Sequence, residues 1–307
     1  MKKNLNILFL SFLFYSCLFY SCLFYSCQFK DYGLEQGFFR KYPVNNRAGS
    51  LKTLNLKRDE ISQENYPDVY NKIFNAKKYS FMVITDVHIG SDKYGNEDEN
   101  IKSFLDKVKS LPELPAFCLG LGDFAEHGKN EEFTKYNQEI ILKLDELGIR
   151  SFSVLGNHDL YNSGYENFSK ILNPKISFYK FETPSISFYG LDSASASLGD
   201  QQLTALKNAF NFDIKPKIIF THVPLFAESK FYFVFQDSAE RNRIISLFAE
   251  NNVQLFLVGH THERHISNLG FSEENFPALF KSRAFFLIHI DESDFENMVA
   301  GIEEIYF

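Results

Sequence analysis

The chain has 307 residues, with 39 acidic and 32 basic side chains and a formal net charge of −7. This length accommodates one large domain and a leader. The acidic balance offers no general attraction to a polyanion, so we expect no nucleic-acid partner. Only Cys118 lies beyond the first 27 residues, which excludes a disulfide within the domain.

The N-terminus has the pattern of a secretory leader. Lys2 and Lys3 precede 26 uncharged residues, 4–29, in which Leu-Phe-Tyr-Ser-Cys occurs three times. A basic start followed by an apolar stretch is typical of a signal segment. A small residue before cysteine is similar to a bacterial lipoprotein processing site. The candidate lipidation sites are therefore Cys17, Cys22 or Cys27, and the sequence does not choose among them.

Three interpretations of residues 1–27 stay open: a lipoprotein signal, an uncleaved anchor long enough to span a membrane, and a plain secretory signal. All three place the rest of the chain outside the cytoplasm, anchored to a membrane or, in the third case, secreted or periplasmic. Residues 28–78 carry no motif and form a lead segment, either a tether or a part that packs on the domain. Within it, residues 45–50 are expected to be loop and 65–76 to be helical.

The main domain is expected at residues 79–307, where five apolar runs each end in a polar cluster. The runs predict buried strands at 79–85, 116–121, 151–155, 217–221 and 253–258. The clusters that follow them are Asp86-Val87-His88, Gly122-Asp123, Gly156-Asn157-His158-Asp159, His222 and Gly259-His260-Thr261-His262. Because ligands bind at the carboxyl ends of strands in open α/β sheets, we expect the five clusters to converge.

Spacing within the clusters favours metal binding. Side chains two residues apart on an extended segment point the same way, so Asp86 with His88, and His260 with His262, can bind one ion together. The candidate donors are nitrogen and oxygen without cysteine, which suits Mn, Fe or Zn and leaves the metal identity open. Each cluster alone is a weak signal, and the prediction depends on all five occurring in order.

At these residues the chain resembles the calcineurin-like metallophosphoesterase superfamily. Its pattern is Asp-x-His, Gly-Asp, Gly-Asn-His-Asp or Glu, a lone His, and Gly-His-x-His, and all five blocks match. The resemblance implies an α/β fold, a four-layer α/β/β/α sandwich of two mixed sheets flanked by helices. It also implies a phosphatase or phosphodiesterase for small phosphorylated substrates, acting through a metal-activated hydroxide.

Carried over residue by residue, the resemblance implies two metal ions. The first would be held by Asp86, His88, Asp123 and His262. The second would be held by Asp123, Asn157, His222 and His260, with Asp123 bridging. His158 would serve the substrate phosphate and leaving group beside Asn157, with Asp159 fixing the tautomer of His158 through its other ring nitrogen. His127 is a weaker candidate for substrate contact, and a solvated loop histidine is the alternative.

Two departures from the family pattern narrow the subfamily. Purple acid phosphatases carry a tyrosine three residues after the second-block aspartate, where this chain has Glu126. A tyrosinate-bound ferric ion is therefore not expected. Many cyclic-nucleotide phosphodiesterases carry an arginine shortly after the third block, and residues 160–164 contain none.

Two function classes stay open at this stage. The first is a dinuclear phosphoester hydrolase. The second is a surface lipoprotein that keeps the fold to bind metal or a partner without catalysis. The aromatic run 231–235 is either a wall for a base or lipid, or an insert that packs on the sheet.

Overall fold

The computed structural model describes residues 44–294 and 298–307. The predicted leader, with Cys17, Cys22 and Cys27, lies outside the described residues. None of the helices in the described ranges is both long and apolar enough to cross a membrane.

The strands of the described chain form two mixed sheets. They are β1 (Lys52–Thr53), β2 (Lys78–Ile84), β3 (Phe117–Gly120), β4 (Arg150–Ser153), β5 (Tyr179–Glu182), β6 (Ser187–Gly190), β7 (Lys217–Phe220), β8 (Val253–Val258), β9 (His265–Asn268), β10 (Ser272–Asn275), β11 (Ala284–Asp291) and β12 (Val299–Tyr306). One sheet has seven strands in the order β1-β5-β6-β7-β8-β10-β9, and the other has five in the order β12-β11-β2-β3-β4. Strands β2, β3 and β4 are parallel, as are β6, β7 and β8, so each set ends at one edge.

Helices flank the two sheets. They are α1 (Val44–Ala48), α2 (Pro67–Tyr70), α3 (Glu97–Lys109), α4 (Asn130–Tyr136), α5 (Leu142–Glu146), α6 (Gly164–Ile171), α7 (Gly199–Phe210), α8 (Ser238–Glu250) and α9 (Leu279–Ser282). A π-helical turn at Asn71–Ala76 continues α2, and another at Asn137–Ile141 joins α4 to α5. Short 3₁₀ turns at His158–Leu160 and Phe231–Phe233 lie near the candidate site.

Strand β2 shows why the chain forms four layers. Phe81 and Val83 belong to the core between the two sheets, whereas Met82 and Ile84 belong to the core under the helices of the five-stranded sheet. Because successive strand side chains point to opposite faces, an unbroken apolar run is buried on both sides. A third core lies between the seven-stranded sheet and its own helices. The predicted four-layer α/β/β/α sandwich is confirmed.

The lead segment was only partly predicted. The expectation of a loop at 45–50 is wrong for residues 45–48, which belong to the helix α1 (Val44–Ala48). The physical reason is a tertiary contact: Arg47 is buried and its guanidinium binds the carboxylate of Asp192, far along the chain. Strand β1 pairs in parallel with β5, so the described part of this segment packs on the domain.

Candidate metal centre

Seven side chains meet where strands β2, β3, β4, β7 and β8 end. Six of them are almost wholly buried, and the side chain of His262 is 23 % exposed. These seven residues are Asp86, His88, Asp123, Asn157, His222, His260 and His262. The structure therefore brings together every residue that the sequence nominated as a metal ligand.

One group of donors surrounds Asp86. Its Oδ1 lies 3.1 Å from Nε2 of His262 and 3.8 Å from Nε2 of His88. The two imidazole nitrogens are 3.2 Å apart. Oδ1 of Asp86 is buried and receives no hydrogen bond from the described residues. A buried anionic oxygen facing two ring nitrogens fits a cation.

The second group of donors surrounds His222. Its Nε2 lies 3.0 Å from Oδ1 of Asn157, 3.1 Å from Nδ1 of His260 and 3.2 Å from Oδ2 of Asp123. Oδ2 of Asp123 is also 3.9 Å from Nε2 of His88, in the first group. One carboxylate oxygen therefore stands between the two groups, which is the position that a bridging ligand requires.

The ligand pairs converge through an unusual backbone, and not through the predicted alternation of an extended segment. Asp86 and His88 have φ of 51° and 52°, and His260 and His262 have φ of 70° and 56°. Asp123 also has a left-handed φ, of 53°. Such conformations are costly for non-glycine residues and tend to occur at functional sites. The expectation of two-residue extended spacing is thus corrected.

Hydrogen bonds between neighbouring loops hold these strained turns. The amide of Asp86 donates to the carbonyl of Gly122, and the amide of His88 donates to the carbonyl of Asp123, each at 3.0 Å. Gly259 is required by close packing, because a Cβ there would lie 2.6 Å from Oδ2 of Asp86. The same Oδ2 accepts the amide of His260 at 3.0 Å, which links the first and last clusters.

The second nitrogens of three ligand rings also have partners. Nδ1 of His222 donates to the carbonyl of Leu121 at 2.8 Å, and Nδ1 of His262 lies 3.3 Å from the hydroxyl of Tyr94. Nδ1 of His88 lies 2.8 Å from Oε2 of Glu126, within ion-pair distance but without the angles of a hydrogen bond. A partner at one ring nitrogen favours the proton there and directs the lone pair of the other nitrogen toward a metal.

Buried charge shifts the titration of this cluster. Burial alone would raise the pKa of Asp123, but the neighbouring charge of His222 outweighs it and holds this pKa well below its usual range. Burial opposes the charge of His222, yet Asp123 raises the pKa of that ring to about 9. The carboxylates therefore stay ionised and attract any available cation, whether a proton or a metal.

His158 lies at the edge of the cluster, with its side chain 19 % exposed. Its amide donates to Oδ1 of Asp123 at 2.8 Å, and its Nδ1 donates to the backbone carbonyl of Glu126 at 2.7 Å. These two bonds fix the ring and leave Nε2 free of the backbone contact. Burial lowers the pKa of His158, but Asp123 and the Glu126 carbonyl outweigh it, so the pKa is raised.

The expected contact between Asp159 and the His158 ring is wrong. Oδ1 of Asp159 accepts the amides of Phe124 and Ala125, and its Oδ2 accepts the amide of Gly156. Burial, together with the charge of Asp123, raises the pKa of Asp159 to about 7. The side chain points into the protein because three backbone amides compete for it, so Asp159 ties two loops together and does not orient the ring.

The contacts of His127 and Glu126 differ from those that the sequence suggested. His127 is half-exposed, and its Nδ1 lies 3.0 Å from Oε1 of Glu132, a partner outside the ligand cluster.

Glu126 is the residue near the metal ligands that the sequence did not indicate. Its carboxylate lies between the His88 and His158 rings, and burial is outweighed by His88, which lowers the pKa of Glu126 to about 2.

Comparisons with known proteins identify the family and support the fold. The sequence profile of the calcineurin-like phosphoesterase family matches residues 79–264. A dimetal phosphatase from Danio rerio is similar in structure, with a TM-score of 0.54, 15% identity, and coverage of 70% of this chain and 93% of its own. A purple acid phosphatase from yellow lupin seeds gives a TM-score of 0.50 at 12% identity, covering 75% of this chain and 54% of its own. No curated protein sequence matches the chain.

Proposed function

The chain belongs to the calcineurin-like phosphoesterase family, and from this membership we propose that it is a dinuclear metal-dependent phosphoester hydrolase acting outside the cytoplasm. The observation that carries the proposal is the meeting of two oxygen–nitrogen donor groups at Oδ2 of Asp123. The seven proposed ligands would hold two ions, each Mn, Fe or Zn. When bound, the ions would supply Lewis acidity that lowers the pKa of water and offsets charge on the phosphate.

His158 is the proposed general acid. In hydrolysis a phosphorus–oxygen bond forms to the oxygen of water, the bond to the leaving oxygen breaks, and that oxygen must gain a proton. Because Nδ1 of His158 is held by the carbonyl of Glu126, a protonated ring presents its other N–H toward the cluster edge. Asp159 acts on this step only through the loops that it holds together.

The proposed substrates are small phosphorylated compounds, as monoesters or diesters. The net charge of −7 supports this choice over a long nucleic acid, because an acidic protein offers no general attraction to a polyanion, and bound metal ions would supply local positive charge. The proposed location is extracytoplasmic, with attachment to a membrane through residues 1–27 or a lipid on Cys17, Cys22 or Cys27. The signal-like pattern of the sequence supports this location.

Hydrolysis of p-nitrophenyl phosphate and of bis-p-nitrophenyl phosphate, with Mn added, tests the proposal. Asp123→Asn should lose its bound metal. Its activity should fall by more than the roughly 10²–10³-fold in kcat that removal of one oxyanion donor costs. Asp200→Asn is the matched control, since that carboxylate is 84 % exposed on α7. A fully metallated wild-type protein that hydrolyses neither compound would support the non-catalytic metal-binding alternative.

Replacement of His158 separates the acid from the metals. His158→Ala should keep the metal content measured by elemental analysis and lose about 10²–10⁴-fold in kcat, the usual contribution of a general acid. His127→Ala is the matched control, because that ring pairs with Glu132 away from the ligands. Normal turnover in His158→Ala would overturn the assigned role.

A further inference from the structure

The loop between β7 and α8 carries exposed aromatic side chains beside the metal centre. Phe226 is 46 % exposed, Phe231 is 74 % exposed and Tyr232 is 46 % exposed. These three residues are called the aromatic rim. Exposed aromatic side chains that cluster, unlike scattered ones, mark surfaces that bind a partner or a membrane.

The aromatic rim is one continuous apolar surface. Phe226 and Phe231 line the same cavity of about 210 Å³ together with Ile245 and Leu269. The rings of Phe231 and Tyr232 are in edge contact, with centroids 5.4 Å apart. Large rings are therefore grouped on one side of the molecule.

The rim reaches the metal centre through Phe233, whose ring contacts that of Tyr232. Phe233, next to Tyr232, places its ring 5.2 Å from the ring of the proposed ligand His260. Lys230, in the same loop, donates to the carbonyl of Thr261, between two proposed ligands. A surface that receives the rim therefore lies close to the opening of the centre.

The described chain begins at the same edge of the seven-stranded sheet. Arg47 in α1 binds Asp192, which follows β6, and His222 follows the neighbouring parallel strand β7. The amide of Gln236, at the end of the loop between β7 and α8, donates to the carbonyl of Ala196, in the same loop after β6. The helix α1 and the loop that carries the rim therefore both contact the loop that follows β6, at the end of the sheet where His222 lies.

The length of the chain before Val44 limits its distance from the leader. Residues 30–43 are the fourteen residues between the uncharged run and Val44. Fully extended, fourteen residues reach at most about 50 Å, comparable to the diameter of a domain of this size. Such a connection keeps the molecule near the membrane and leaves its orientation to other contacts.

We propose that the aromatic rim docks on a neutral lipid surface and turns the metal centre toward it. This proposal depends on the membrane attachment proposed above. Beside the rim, Glu228 and Glu263 are exposed, and Lys230 is already paired with Glu263. Arg241 lines the same cavity as Phe231 and offsets the other acid, so the rim has no excess positive charge that would favour anionic over neutral lipid. Aromatic rings prefer the membrane–water interface, where their apolar bodies are buried.

The opposite edge of the same sheet offers the sharpest control. Phe212 is 89 % exposed and lies between the end of α7 and the start of β7, whereas His222 lies beyond the other end of β7. Hydrophobicity alone would direct either edge to the lipid. The proposal requires the rim to be in contact with lipid and Phe212 to stay in water.

The chain contains no tryptophan, so one introduced indole reports on its own position. Phe231→Trp and Phe212→Trp are made in the full chain and reconstituted into phosphatidylcholine vesicles, with or without brominated acyl chains. The indole at 231 should show blue-shifted emission and lose more than half its intensity with brominated lipid, because interfacial apolar groups insert about 5–10 Å. The indole at 212 should show neither change.

Each outcome decides the proposal. An indole at 231 that is not quenched, or quenching equal to that at 212, would overturn it. Tyr232→Trp gives an independent reading from the same rim if the first variant folds poorly. Indole fluorescence does not depend on hydrolysis. A failure of docking is therefore distinguished from a failure of the phosphoesterase activity, which is measured separately.

Discussion

Two neighbouring regions of the molecule bury carboxylates and neutralise them differently. Asp192 is bound on both oxygens by Arg47, through Nε and Nη2 at 2.7 Å each, and both side chains are inaccessible to solvent. At the metal centre, the ion pairs that Asp86 and Asp123 form with the described residues involve only histidines. We call the Arg47–Asp192 pair the closed region, because the chain itself supplies the balancing charge. We call Asp86 and Asp123 with their histidines the open region, because it can accept a cation.

The contrast separates a structural charge from a functional one. A buried carboxylate with a bidentate guanidinium is balanced when the chain folds, although such a pair contributes little beyond its own desolvation cost. A buried carboxylate faced only by imidazoles is balanced by a proton held on a ring, as on His222, until a metal ion replaces that proton. Metal binding then supplies stability that folding alone does not, so the open region couples the fold to the ion.

Breaking the closed region should have the largest effect on stability. Arg47→Met leaves Asp192 buried without its guanidinium and should lower the free energy of unfolding by about 3–5 kcal/mol, measured by urea denaturation. Arg243→Met is the matched control, because its pair with Asp200 is exposed, and it should cost about 0–1 kcal/mol. The metal content of the folded Arg47→Met protein should not change.

A double variant tests the cause of that loss. Arg47→Met combined with Asp192→Leu removes both charges, and apolar replacements of buried ion pairs are often neutral. Stability should therefore return toward that of the wild type. A double variant no more stable than Arg47→Met would show that the loss came from packing and not from an unbalanced charge.

Emptying the open region should have the next largest effect. A chelator added to the Mn-loaded protein should lower its stability by about 2.8 kcal/mol, about 1.4 kcal/mol for each of the two ions, if each had been present at about ten times its dissociation constant. Calorimetry with and without chelator gives this difference. Asp123→Asn should respond far less to chelator, and an equal response would argue that the ions bind elsewhere.

The sequence predicted the open region well because its signals are local. Each proposed ligand follows an apolar run, and the runs form the parallel strands whose ends share an edge. The fold class followed from the same pattern and the family resemblance. The left-handed φ of Asp86 and His88 could not be read from the sequence, since neighbouring loops impose it.

The closed region was missed because its signal is not local. Arg47 and Asp192 are 145 residues apart, and no local pattern around either residue predicts that they pair. The prediction for Asp159 was wrong for a related reason, since amides of the Phe124–Ala125 loop and of its own loop bind its carboxylate. The sequence shows Glu126 only as the residue that replaces the tyrosine of purple acid phosphatases. Spacing along the chain does not show which ring the carboxylate of a loop residue will face.

Glu126 provides the smallest and most selective test of the comparison, because it is a buried carboxylate that serves a ligand without being a proposed ligand. Glu126→Gln keeps the shape and the backbone carbonyl that holds His158, but removes the charge 2.8 Å from Nδ1 of His88. Loss of such a partner typically weakens metal affinity by about 10–100-fold. We expect that loss in a Mn titration, with little change in kcat at saturating Mn.

A second glutamate–histidine pair, between the same loop and the helix α4, supplies the control. Glu132 lies 3.0 Å from Nδ1 of His127, and neither residue contacts a proposed ligand in the described structure. Glu132→Gln should therefore leave metal affinity unchanged. If both variants weaken Mn binding equally, the effect is a general loss of negative charge, and Glu126 belongs with the closed, structural charges of Asp192. If only Glu126→Gln does so, the open region extends one residue beyond its ligands.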